Sequence, residues 1–97
     1  MEEYSIMPSN EPKWSNKRFS GSERHEIFEG RTGNRNKSAE DGLVIFTTPD
    51  LHRTGKNSIH MAPREWLYLK ELGEKTWCEF YNKNPREFLE RYGRNYL

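Results

Sequence analysis

The scarcity of aliphatic mass constrains this chain more than any other feature. Leu, Ile, Val and Phe together number 17 of 97 residues, a fraction at which disorder is the usual expectation. Against it stand a formal net charge of only +1 and an aromatic content of 13%, so the chain is expected to fold, with rings supplying the core. A single domain this small has little apolar surface to bury, and such domains commonly depend on a metal, a partner chain or a disulfide. Cys78 is the only cysteine, which excludes a bridge within the chain and fits a reducing cytoplasm. No apolar run approaches the roughly 18 residues of a membrane helix, and residues 1–20 lack a signal-peptide pattern. A soluble cytoplasmic protein held by a metal or a partner is therefore expected.

Local signals place the elements. Residues 1–23 are rich in Ser and Pro and read as an extended N-terminal arm, with at most a short strand at Tyr4 to Met7 and with Trp14 and Phe19 as its anchors. Residues 24–97 form the single domain. Arg24 to Glu29 reads as a short strand, Gly30 to Lys37 as a Gly/Asn-rich loop, Ser38 to Asp41 as one helical turn stopped by Gly42, and Leu43 to Thr47 as the clearest strand. Thr48-Pro49 supplies a cap and a first-turn proline for a short helix through Arg53 that Gly55 ends. Pro63 starts one long helix to about Asn82, whose Trp66, Leu69, Leu72, Trp77 and Phe80 make an apolar stripe slightly weakened by Gly73. Asn84-Pro85 opens a last short helix that turns Phe88 and Leu89 inward and closes at Gly93. The fold class is α+β: strand, loop, strand and short helix, packed on one long and one short C-terminal helix.

Chemistry concentrates in His25, His52 and His60, the only imidazoles. Neutral imidazole is the commonest metal ligand and the side chain most readily poised as a base near neutral pH. The three lie on separate elements that can converge, leaving a fourth coordination position for water or for a carboxylate such as Glu26, Asp50 or Glu65; zinc suits such a set best. Spacing alone also accommodates three unrelated histidines. Arg24, Arg31, Arg35, Lys37, Arg53 and Lys56 cluster around them and could meet phosphates, although the interleaved acidic residues equally describe a solvated surface.

From His25 onward, the segments H-E-I-F-E-G, G-N-R-N-K-S, G-L-V-I-F, P-D-L-H-R-T-G-K and I-H-M, with the terminal G-R-N-Y-L, resemble a family of small phage and prophage proteins related to the HNH, or His-Me finger, endonucleases. The likeness covers residues 24–97, and its terminal motif implies a complete chain. It implies a ββα metal unit with one divalent ion, His25 in the position of the water-activating base, His52 in that of the helix ligand, and His60 as a further ligand. Two Cys-x-x-Cys or Cys-x-x-His pairs that look like a structural zinc site in such proteins are replaced here by Lys13-Trp14-Ser15-Asn16 and Thr48-Pro49-Asp50-Leu51, so that second site is lost, and Trp14 and Leu51 are expected to fill its volume.

Arg24 stands where an acidic ligand often precedes the base, and a His25 drawn into the metal shell cannot act as a free base. Asn57 or Asn36 could supply the Asn role of an active nuclease, using magnesium or manganese. The competing reading is a binding protein with a nuclease-like scaffold and lost or reduced activity. In size and in its decayed site the chain is similar to type II-A anti-CRISPR proteins, which implies inhibition of a host defence protein, the type II CRISPR effector nuclease, inside the infected bacterium. Tyr68, Trp77, Tyr81, Arg86, Arg91 and Tyr96 are the candidate contacts, being of the residue types that dominate interfaces. DNA binding without cleavage is a third possibility, and either a monomer or a homodimer is compatible with the thin core.

Overall fold

The computed structural model describes residues 4–30 and 33–97. Its architecture is α+β. Strand β1 (Glu23–Glu26) pairs antiparallel with β2 (Val44–Thr47), with Glu23 opposite Thr47 and His25 opposite Ile45. All four residues of β2 are buried, as its continuous apolar run requires when both faces are covered. The far edge of β2 is covered by the N-terminal segment: Ser15 and Phe46 exchange both backbone hydrogen bonds, and the Thr47 hydroxyl donates to the Lys13 carbonyl at 2.7 Å. An otherwise open strand edge is thereby closed.

This pairing explains what anchors the N-terminal segment. Trp14 is buried against Trp66 and Tyr68, and its indole N–H donates to the Pro8 carbonyl. Met7 joins the core as well, while Phe19, expected as the second anchor, is exposed. The strand expected at Tyr4 to Met7 does not form; Ile6 instead donates one backbone bond to Gly42. Gly42 has φ +76°, and a Cβ there would lie 2.6 Å from the Tyr4 ring, so turn and close approach both require glycine.

The strand expected over Arg24 to Glu29 stops at Glu26, and Ile27 and Phe28 run on into the core. The polar stretch expected to be a loop through Lys37 holds helix α1 (Asn34–Glu40). Its only fully buried member is Ser38, whose hydroxyl donates to the Leu43 carbonyl and accepts from the Phe28 amide. Asn34 and Lys37 donate to the carbonyls of Tyr92 and Arg91. Tertiary hydrogen bonds hold this helix, which is why no apolar periodicity announces it.

After Thr48-Pro49 the chain makes a five-residue π turn, Asp50–Thr54, closed by the Gly55 amide on the Asp50 carbonyl. Helix α2 covers Leu67–Tyr81; Pro63 to Trp66 form turns ahead of it, and the Trp66 indole N–H is drawn to the Asn57 carbonyl. The buried face of α2 is Leu69, Gly73, Glu74 and Trp77. Phe80, expected in the stripe, is 61% exposed. Gly73 is a packing residue: a Cβ would lie 3.0 Å from the side chains of Ile27 and Phe28. Helix α3 (Pro85–Tyr92) begins at Asn84 with reciprocal Asn84 and Glu87 caps and stops at Gly93, φ +88°. Phe88 turns inward as expected, but Leu89 is exposed and Tyr92, one turn after Phe88, is buried in its place. Among the described residues, no helix is long and apolar enough to cross a membrane.

Candidate metal centre

Three short stretches build the site. Residues of one strand two apart share a face, so His25 and Glu23 project together from β1. Thr47, opposite Glu23, leads directly into the π turn that carries His52. The chain then doubles back: the amides of Ile59 and His60 donate to the carbonyls of Leu51 and His52, which sets His60 beside His52.

The three imidazoles converge. One ring nitrogen from each lies within 4.8 Å of the other two, the ring centroids are 4.7–5.4 Å apart, and the Nε2 atoms of His52 and His60 are separated by 3.0 Å. Ligand nitrogens of a tetrahedral zinc site stand about 3.4 Å apart, given bonds of about 2.0–2.1 Å. The cluster can hold a metal ion. His25 is 4% exposed, and burial, reinforced by the charges His52 and His60 carry when protonated, pushes its pKa down to about 3. It is therefore neutral at physiological pH, the form in which imidazole binds metal.

Carboxylates flank the outer nitrogens. Glu23 Oε1 lies 3.0 Å from His52 Nδ1, and its other oxygen accepts from Arg53 at 2.8 Å. The hydrogen bond from His52 is the largest cause holding the Glu23 carboxyl below its usual range; desolvation opposes it and Arg53 adds to it. Glu29 Oε1 lies more loosely, 3.9 Å from His60 Nδ1.

The histidines open onto a cavity of about 170 Å³ lined also by Arg24, Glu26, Glu29 and Arg35. Of the proposed fourth ligands, Glu26 is here, paired with Arg24 at 3.5 Å and Arg35 at 3.7 Å. Asp50 lines a different cavity, together with Asn57 and Lys56, and Glu65 sits exposed on the turn before α2. Asn36 is exposed on α1. The basic cluster is likewise divided. Arg24 and Arg35 face the histidines, Arg53 holds Glu23 and Lys37 holds α3; Arg31 lies outside the described residues.

The candidate contact residues separate into core and surface. Trp77, expected as a contact, is a core residue, 5% exposed, with its indole N–H on Asp41 Oδ2. Arg91 is committed to a two-point pair with Asp41 at 2.6 and 2.8 Å. Both line an open groove of about 570 Å³ with Tyr81, whose hydroxyl donates to the Asp41 carbonyl. Tyr96 is half-buried against Phe28. Tyr68 and Arg86 are exposed, Tyr68 stacking on Trp66.

The three histidines stand out in the sequence, whereas the carboxylates behind them, Glu23 and Glu29, do not. Glu23 fell one residue before the expected strand; its i, i+2 relation to His25 was the available signal. Trp14 and Leu51 both pack on the core. Comparison with protein families, with curated proteins and with solved structures finds no match to this chain.

Proposed function

We propose that this chain is a zinc-binding protein of His-Me finger descent in which His25, His52 and His60 all act as ligands, and that it works by binding another protein. The observation that carries this reading is the convergence of all three imidazoles. With every histidine committed to the ion, none is left as the free base that phosphodiester hydrolysis needs. The ion joins β1, the π turn and the turn after it, so its binding free energy becomes folding free energy. The partner that the phage-protein resemblance suggests is a host defence protein, the type II CRISPR effector nuclease, to be tested by co-purification and by inhibition of target cleavage.

Zinc removal tests the metal claim. A chelator should lower the thermal midpoint of the wild-type chain by several degrees and leave His52→Ala unmoved; an unchanged wild-type midpoint contradicts it.

One observation favours a second reading, an HNH-type endonuclease using magnesium or manganese. The cavity beside the histidines is open and carries Arg24 and Arg35, groups that could receive a phosphate. Metal-dependent cleavage of plasmid or single-stranded DNA that disappears in His25→Ala would establish that reading and displace the first.

A further inference from the structure

The metal reading treats the three histidines as ligands, but an imidazole binds through one particular nitrogen, and something must choose it. For His52 the choice is built into the strand pairing. Glu23 begins β1 opposite Thr47, the last residue of β2, three positions before the π turn starts. That register sets the Glu23 carboxylate under the turn, where one oxygen meets His52 Nδ1 at 3.0 Å and the other meets Arg53 at 2.8 Å. A carboxylate only accepts, so the Nδ1 atom carries the proton and Nε2 presents its lone pair. Nε2 is the nitrogen that faces His60, 3.0 Å from that residue's Nε2. Arg53, next in sequence to His52, fixes the carboxylate from the other side and keeps both of its oxygens engaged.

We propose that Glu23 is a positioning residue of the metal centre: held by Arg53, it accepts the Nδ1 proton of His52 and commits that histidine to binding metal through Nε2. This deepens the zinc reading and rests on it. Glu29, at 3.9 Å from His60, is too distant to hold His60 in the same way, so the two outer ligands are unequally supported and Glu23 carries the larger share. Carboxylates behind metal-bound histidines orient the ring and raise its basicity, and losing one typically weakens metal binding about 10- to 100-fold.

The test uses zinc alone as probe, with a competing chromophoric chelator, on wild type, Glu23→Ala and Glu23→Gln. Long-range proton–nitrogen NMR spectra report the His52 tautomer in the same samples. Glu23→Ala should bind zinc about 10- to 100-fold more weakly, and its His52 should lose the single Nδ1–H form. Glu23→Gln, whose amide oxygen accepts the same bond, should recover much of the affinity and keep the tautomer, which a merely structural carboxylate would not explain. It also keeps the test open should the alanine variant fail to fold. Wild-type chain that takes up no zinc sinks the metal reading and this inference with it. Wild type that binds zinc, alongside a Glu23→Ala chain that loses no affinity and keeps an unaltered His52 tautomer, or a folded Glu23→Gln chain that loses both the affinity and the tautomer, sinks the inference alone.

Discussion

Asp41 and the histidine cluster both gather polar groups inside a small protein, and they do so in opposite ways. Asp41 is a closed device. Its carboxylate accepts from the Trp77 indole, the Tyr92 hydroxyl and two nitrogens of Arg91, all within 2.9 Å. The hydrogen bond to Asp41 holds the Arg91 guanidinium firmly protonated, and burial together with that carboxylate pushes the Tyr92 hydroxyl up. Charges and donors match, and α2, α3 and the end of α1 are joined at one point. The histidine cluster is an open device: three like groups face one another, with carboxylates behind the outer two and a cavity in front. A closed polar centre contributes stability by itself, whereas an open one acquires its worth from what it binds.

That contrast can be broken by substitution. Asp41→Ala removes the common acceptor of Trp77, Tyr92 and Arg91 and leaves Arg91 only its contact with Glu40 at 3.3 Å, so it should cost about 3 kcal/mol in urea unfolding, equally with zinc and with chelator. A loss that zinc repairs would mean the two centres are one cooperative unit.

Acid sharpens the comparison from the other side. His25 is uncharged in the folded chain down to about pH 3, while in the unfolded chain it takes a proton below its ordinary value of about 6.5. The unfolded state then binds more protons, so the stability His25 contributes is whole above about pH 6.5 and is lost as pH falls toward 3. The slope in that window is at most about 1.4 kcal/mol per pH unit from this one group. Urea unfolding at several pH values in chelator should show it, and His25→Gln should flatten it; an unaltered slope in that variant contradicts the assignment.

The smallest effect concerns the apolar layer between the two regions. Gly73→Ala gains up to about 1 kcal/mol of helix propensity, but its methyl must displace Ile27 and Phe28, and overpacking of this kind costs about 1–3 kcal/mol. A net loss of about 1 kcal/mol is expected in the same unfolding measurement, and a net gain would show that the contact has slack.

How far the sequence revealed each region follows from the kind of signal each one leaves. The α+β order, the Asn84 cap, the Gly42 and Gly93 stops and the three metal-ligating candidates were legible because they rest on residue types with narrow uses. Helix α1 was not, since its support comes from Asn34 and Lys37 reaching the distant carbonyls of Tyr92 and Arg91, and from Ser38 tying Leu43 to Phe28. Phe80 and Leu89 were misplaced because periodicity counts apolar residues without knowing which neighbour arrives; Gly73 and Tyr92 occupy the positions that face inward. Asp41 leaves no pattern and Glu23 only its i, i+2 relation to His25, because a carboxylate becomes a hub only through partners that the fold brings from 29 to 51 residues away.

Elemental analysis of the purified protein tests the central claim most directly. One zinc per chain, lost on replacing His25, His52 or His60 singly by alanine and retained in Asp50→Ala, is the predicted result. A wild-type chain that carries no metal after purification and takes up none from zinc-supplemented buffer would contradict the account.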